Sequence, residues 1–191
     1  MSEFGNIQST DEEIKNSRQF YHLDRIGSLE IGKEISLNPI YVNSNSKEIS
    51  NHIKELFKEG ISKHGLQYIN ALQGNNAQTE WFFEYVRRSN FQDKPSRFQS
   101  FFGFSTLDDI ERMKSKLNIS GGTIYLVQSS QYFRADMNLL GIQQSYLMFS
   151  LLANIYWSGE TYKELNSKFG FKPLWEYLLT GEIKIIDKIH N

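Results

Sequence analysis

Three short stretches hold the side chains best suited to chemistry. "PLWEYLLTGEIKII", residues 173–186, sets Glu176 beside Trp175, follows it with two leucines and a turn, then alternates charged with β-branched residues. "FYHLDR", residues 20–25, carries Tyr21, His22 and Arg25, and "PSRFQSFFGFST", residues 95–106, carries Arg97, Ser100, Phe101 and Phe102. A fixed carboxylate can move a proton or stabilise a developing positive charge. A guanidinium offers a planar fork of donors that matches a diphosphate, and flat rings can sandwich a flat heteroaromatic group. Each residue also has a plainer reading. Glu176 can be a surface residue of a helix packed through Trp175 and Leu179, His22 a core or edge histidine, and Arg97 the end of a loop answering Asp93. The aromatics at 98, 101, 102 and 104 can simply be core.

Composition narrows the classes. With 39% hydrophobic and 14% aromatic residues, 191 residues suffice for one good-sized core, expected as a single domain over 19–191 behind a polar tail at 1–18. Fourteen Phe, 10 Tyr and 3 Trp demand many buried rings or a ring-lined cleft. Twenty-one basic against 22 acidic residues leave a net charge of -1, so the global positive field of a nonspecific nucleic-acid binder is absent. "YVRRSNFQDKPSR", residues 85–97, can still supply a local basic rim. Without cysteine there are no disulfides, no thiolate metal sites and no cysteine nucleophile. Histidines at 22, 52, 64 and 190 lack the short spacings of a metal site, so no metal is expected. No run approaches a membrane span, and "MSEFGNIQST" has no basic-then-apolar pattern, which points to a cytoplasmic home. Neither "GxGxxG" nor "GxxxxGK[ST]" occurs, which counts against a Rossmann dehydrogenase or a phosphate-loop kinase.

The elements that must position these residues follow from periodicity. "QFYHLDRIG" alternates as a short strand, and "KEISLNPIYV" suggests a second one broken at Asn38-Pro39. Residues 46 to 90 read as mainly helical. Ser46 caps a helix that faces inward through Ile49, Ile53, Leu56 and Phe57 and stops at Gly60, and a later helix faces inward through Trp81, Phe82, Tyr85 and Val86. "FQSFFGFS" reads as a strand. Thr106, with Asp109 three residues on, caps a helix packed through Leu107, Ile110, Met113 and Leu117. "GGTIYLVQ" is a turn and a buried strand, "QQSYLMFSLLANIYW" a helix apolar nearly all round, and "EIKIIDKI" a closing strand, while "QYFRADMNLLG" fits no one pattern. Strand, helices, strand, helix, strand, helix, strand implies α+β with a mixed central sheet.

In this order the three stretches resemble the ADP-ribosyltransferase fold, specifically its histidine-containing branch, over about residues 20 to 187. The resemblance implies a central sheet split around an NAD cleft. "WEYLLTGEIKII" is similar to the segment bearing the catalytic glutamate, here Glu176. "YH" is similar to the strand whose histidine, here His22, holds the adenosine-side ribose. "SFFGFSTLDDIERM" is similar to the segment that places a ring under the nicotinamide, with Ser100, Phe101 and Phe102 in that position. Tyr21 adds a ring, and Arg25 and Arg97 would take the diphosphate. Trp157, Trp175 and Asp136 fall to the acceptor side, although Asp136 with Arg134 also reads as a buried structural ion pair. Two departures stand out. Leu174 occupies the place where arginine-modifying members carry Glu or Gln, which argues against an arginine acceptor. "SFFGFS" supplies serine and phenylalanines where the histidine branch offers tyrosine.

The expectation is a mono-ADP-ribosyltransferase that uses NAD as co-substrate, cleaves its nicotinamide–ribose bond and passes ADP-ribose to a macromolecule, protein before nucleic acid. Its setting would be that of a toxin, effector or phage-conflict protein acting in a cytosol, its own or a target cell's. The alternatives are an NAD glycohydrolase, with water as acceptor, and a non-catalytic interaction or inhibitor protein that grips a partner through an aromatic-rich surface.

Overall fold

A computed structural model of the chain describes residues 17–42, 45–70, 75–141 and 145–190. Apart from residues 17 and 18, the expected polar tail lies outside them, as do residues 43–44 of the "NSNS" stretch and 143–144 of "QQSYLMFSLLANIYW". The elements run β1 (Arg18–Asp24), α1 (Lys47–Leu56), α2 (Lys63–Ile69), α3 (Asn75–Asn90), β2 (Phe101–Gly103), α4 (Leu107–Leu117), β3 (Thr123–Asp136), α5 (Tyr146–Trp157), α6 (Lys163–Phe169) and β4 (Trp175–Ile189). This is α+β, in the strand-and-helix order that the periodicity implies.

The sheet is antiparallel in each strand pair, in the order β1-β3-β4-β2, rather than mixed. Strands β1 and β2, consecutive in the chain and separated by helices, stand at opposite ends of that order. The helices between them are therefore not crossovers between parallel neighbours, which is what a strand–helix–strand pattern suggests.

Two long strands shape everything else. β3 has 14 residues and β4 has 15, against a usual length of about 5–6. Register shifts at Leu126/Val127 and Ser129/Gln131 bend the pair midway. Opposite the bend, Gly181 has φ 67, and a Cβ there would lie 3.0 Å from the Gln131 side chain, so a glycine suits both backbone and neighbour. The Thr180-Gly181 pair thus bends one strand instead of turning between two elements, and "WEYLL" is strand rather than helix. The first half of β3 pairs with β1 and the end of β4; the second half pairs with the start of β4, which pairs with β2.

The sheet curls until its two ends meet. Tyr21 N–H donates to the Phe104 carbonyl and Phe104 N–H to that of Tyr21, each at 2.8 Å. Beyond this bridge no other backbone hydrogen bond joins β1 to β2 among the described residues. The two strands part, leaving a split on the side of His22 and Phe102.

Apolar faces fill both sides of the curl. Phe20, Val127, Leu179, Ile183 and Ile185 pack together on one side. On the other, Phe83 of α3 and Leu152, Ala153, Tyr156 and Trp157 of α5 cover Ala135 and Leu178. Ile110 and Met113 of α4 cover Leu23 and Ile124, while Ile53, Phe57, Ile61 and Phe98 form a smaller cluster. Caps fall where the sequence puts them: Ser46 Oγ accepts from Ile49 N–H, and Thr106 Oγ1 from Asp109 N–H.

Several faces differ from the periodicity. α1 ends at Leu56 with a turn before Gly60, and its Ile49 is exposed, as are Leu107 and Leu117 of α4. In α3, Glu80, Glu84 and Arg87 turn inward with Phe83 while Tyr85 is exposed; charged groups can occupy a buried stripe when they satisfy one another. Helix α5 is buried on one side only, with Tyr146 at 87% and Leu147 at 82% exposure. "KEISLNPIYV" forms no strand, only isolated bridges of Glu34 to Lys184 and Asn38 to Ile61, consistent with Pro39 lacking a ladder donor. "QYFRADMNLLG" completes β3 and then turns through Met137–Gly141.

Candidate functional site

A cavity of about 1380 Å³ reaches β1 and β2 at His22 and Phe102 and runs on past residues 24–38, α2 and β4. It exceeds the roughly 300–1,000 Å³ of ordinary small-molecule sites. His22, Arg25, Ser100, Phe101 and Phe102 line it, together with Arg97 and two residues absent from the sequence-based candidates, His64 and Glu80.

His22 pins the mouth of the split. Its Nδ1 lies 2.7 Å from the Phe102 carbonyl, so Nδ1–H donates and Nε2 carries the lone pair. Its ring lies over Phe101 with centroids 3.8 Å apart. Burial lowers its pKa to about 4, against the opposing pull of the Phe102 carbonyl and the Asp24 charge, so the imidazole is neutral at pH 7. Alternation along β1 sends Tyr21 to the opposite face, where it packs against the Leu23 and Phe104 cluster and does not line the cavity. Next to His22, Asp24 accepts from the backbone N–H groups of Ile26, Gly27, Ser28 and Leu29, which shapes the loop carrying Arg25. Burial pushes the Asp24 carboxyl up, but those four donors hold it below its ordinary value. Arg25 is exposed, and no carboxylate pairs with it among the described residues.

A closed polar cluster runs inward from the cavity wall, with Arg97 and Glu80 on the lining and Glu176 and Tyr156 behind them. Arg97, 3% exposed, donates from Nε and Nη2 to Glu80 at 2.7 and 2.9 Å, and from Nη1 to Glu176 at 2.5 Å. Nη1 also donates to the Tyr156 hydroxyl at 2.5 Å, and that hydroxyl donates to Glu176 at 2.8 Å. The guanidinium lies 4.8 Å from the Phe102 ring centre. Four of its five donors are thus engaged, and it is not free to clasp a diphosphate. Burial acts against the Arg97 charge, but Glu176 and Glu80 outweigh it and raise its pKa well above the ordinary value. Burial would push the Glu80 carboxyl up; Arg97 and then His64 hold it far below the usual range. Burial raises the Tyr156 hydroxyl well above its ordinary value.

Glu176 answers the question its sequence raises in an unexpected way. It is neither on the surface nor on the cavity wall: 3% exposed on β4, it is held by Arg97 and Tyr156 one layer behind. Arg97 pairs with it and Glu80 rather than with Asp93, which Lys94 takes. Ser100 is fully buried, its hydroxyl donating to the Ser96 carbonyl.

The acceptor-side candidates serve the frame. Trp157 is fully buried, its indole N–H donating to the Phe83 carbonyl. Trp175 lies under the Arg134 guanidinium at 4.2 Å. Asp136 accepts from the backbone of Asn138 and Leu174 and from Thr161 Oγ1, so it fastens the start of β4 to the end of β3 and is not paired with Arg134. None of the three lines the cavity. Among the described residues, no group of three or more His, Asp or Glu is placed to hold a metal ion, and no helix is long and apolar enough to cross a membrane.

His64 and Glu80 are not among the site candidates that the sequence offers, and Tyr156, which with Trp157 reads as an aromatic wall or the end of a core helix, proves to be a buried helix residue whose hydroxyl joins the cluster. One signal was available: Glu80, Glu84 and Arg87 recur at helical spacing beside Phe83, a charged stripe on a face that must be buried. Tyr156 is the one residue with a hydroxyl near the end of an otherwise apolar run.

Fold and site together define an α+β protein with a four-stranded antiparallel sheet and a cavity lined in part by aromatic, imidazole and guanidinium groups. Residues 20–191 match a family described as protein of unknown function (DUF2441), and the chain belongs to that family. A search of curated proteins finds no match to the chain.

Proposed function

We propose that the cavity binds NAD and that the protein is a mono-ADP-ribosyltransferase, breaking the nicotinamide–ribose bond and passing ADP-ribose to a macromolecular acceptor. The observation that carries this reading is the parted end of β1 and β2, where His22 is fixed as a neutral imidazole on Phe101 and the cavity lining also includes Arg25, which pairs with no carboxylate among the described residues. A neutral imidazole offers Nε2 as an acceptor for a ribose hydroxyl. Arg25 offers a fork for a phosphate, and Phe101 and Phe102 offer flat faces for a base. The cavity has room for an extended dinucleotide.

Breaking the glycosidic bond builds positive charge on the ribose, so a negative field beside the cleft lowers the barrier. Glu80 and Glu176 bracket Arg97, and two carboxylates against one guanidinium leave one formal negative charge in a dry setting behind Phe102. In this reading Glu176 acts through that cluster rather than by touching the sugar. The test follows nicotinamide release from labelled NAD, together with the NAD-induced rise in melting temperature, in wild type and Glu176→Gln. The expected result is retained binding with release at least about tenfold slower. Equal rates in the two proteins remove Glu176 from the mechanism.

One observation favours a second reading, binding without turnover. Glu80 and Glu176, the two carboxylates of the buried cluster, already accept hydrogen bonds from Arg97. NAD that raises the melting temperature but yields no nicotinamide, even with a cell lysate as the source of acceptors, selects it.

A further inference from the structure

His64, on the first turn of α2, packs on the ring of Phe102, whose carbonyl holds His22. That turn is clamped. Ser62 caps it by accepting from Gly65 N–H, while the Ser62 N–H and hydroxyl both donate to the Phe98 carbonyl at 2.8 and 3.0 Å. Gly65 packs so closely on the same carbonyl that a Cβ would lie 2.3 Å from it. The Phe102 and Tyr68 rings hold the imidazole at centroid distances of 4.6 and 4.9 Å.

The two ring nitrogens of His64 differ. Nε2 is buried 3.3 Å from Glu80 Oε1 but out of line for a hydrogen bond, which leaves it the one buried side-chain polar atom without a partner among the described residues. Among the described residues Nδ1 has no hydrogen-bond partner, and it belongs to a side chain 25% exposed in the cavity wall. An imidazole whose inner nitrogen faces a carboxylate and whose outer nitrogen is open is arranged as a general base, and such contacts commonly tighten when a ligand binds. Since Arg97 holds Glu80 far below the ordinary range, Glu80 stays ionised and can stabilise the imidazolium.

We infer that His64 is the proton acceptor of this cleft, with Glu80 as its positioning residue; the inference rests on the NAD-cleaving reading above. An acceptor hydroxyl, or water, attacks the anomeric carbon of the ribose as the nicotinamide–ribose bond breaks. The bonding pair leaves with nicotinamide, which departs neutral. The proton of the attacking hydroxyl passes to His64 Nδ1 and from there to solvent, so one proton is released per NAD consumed.

The experiment measures nicotinamide release and the NAD-induced melting shift on the full chain in wild type, His64→Ala and His64→Gln, with and without added imidazole. Expected are an unchanged NAD shift in both variants and release slowed about 10²-fold. Free imidazole should restore part of the rate in His64→Ala alone, because only that variant leaves a space for it. Wild-type release in His64→Ala, or a loss that imidazole does not restore, overturns the assignment while the NAD reading stands. Wild-type protein that neither binds nor cleaves NAD overturns both. If His64→Ala does not fold, His64→Gln decides by its pH–rate profile: loss of the rising limb supports a proton acceptor, and a profile parallel to wild type refutes it.

Discussion

His22 and His64 flank the same residue, Phe102, and the protein treats them oppositely. The Phe102 carbonyl takes Nδ1–H of His22, and burial lowers its pKa to about 4, so it is a fixed neutral acceptor. His64 has its inner nitrogen against Glu80 and its outer nitrogen without a partner among the described residues. The difference comes from what stands behind each ring. A backbone carbonyl locks a tautomer, whereas a carboxylate supports a positive charge. The environment, rather than the residue type, sets the two rings apart.

The largest way to break that contrast is to remove the charge behind His64. Arg97→Met strands Glu80 and Glu176 in the interior, and loss of one partner from a buried ionic cluster costs about 3–5 kcal/mol. Urea unfolding should show that loss, and histidine NMR should show the His64 signals moving while those of His22 stay. Adding Glu80→Gln and Glu176→Gln should recover much of the stability, since an uncharged cluster carries no stranded ion. Recovery without return of His64 to its original signals would confirm that the cluster acts on His64 electrostatically; equal movement of both histidines would collapse the distinction.

How much of this was legible beforehand follows from where the information resides. Alternation in "FYHLDR" and "EIKIIDKI" reports which residues face a core, and the Ser46 and Thr106 caps are local hydrogen bonds, so those elements are readable from sequence. Strand direction is not local, and neither is the bend at Gly181, which depends on Gln131 across the sheet. The motifs around His22, Phe101 and Phe102 do meet at one cavity. The tie between Arg97 and Glu176 spans 79 positions. No spacing rule connects them, and only their burial on neighbouring elements reveals that each carboxylate already has a partner.

A second prediction uses pH to isolate His22. Its folded-state pKa lies near 4, below the ordinary 6.5, so between these values the unfolded chain binds the proton first. Stability therefore falls as pH drops from about 6.5 to about 4, by up to roughly 3 kcal/mol, and His22 adds no further loss below that. Glu80, with its depressed carboxyl, adds its own loss only at lower pH. Unfolding free energies at pH 7 and pH 4.5 should differ markedly in wild type and much less in His22→Gln. An identical slope in the variant would mean that the imidazole is not desolvated and that the mouth of the split is wetter than the Phe101 stack implies.

The smallest effect calibrates the others. Thr106 caps α4 through the Asp109 N–H, away from both histidines, and its hydroxyl also meets the Asp109 carboxylate at 2.8 Å. Thr106→Ala should cost about 1 kcal/mol, the usual value of an N-cap. Helix α4 packs on β1 through Ile110, Met113 and Leu23, so a general loosening of the sheet would reach His22 through Leu23. If Thr106→Ala lowers stability yet leaves the NAD response and the histidine signals intact, the changes seen in the Arg97 and His22 variants are local to the site. If the same small loss disturbs the histidines, β1 is held in place by α4, and the apparent specialisation of the two rings must be separated from the stability of the strand that carries one of them.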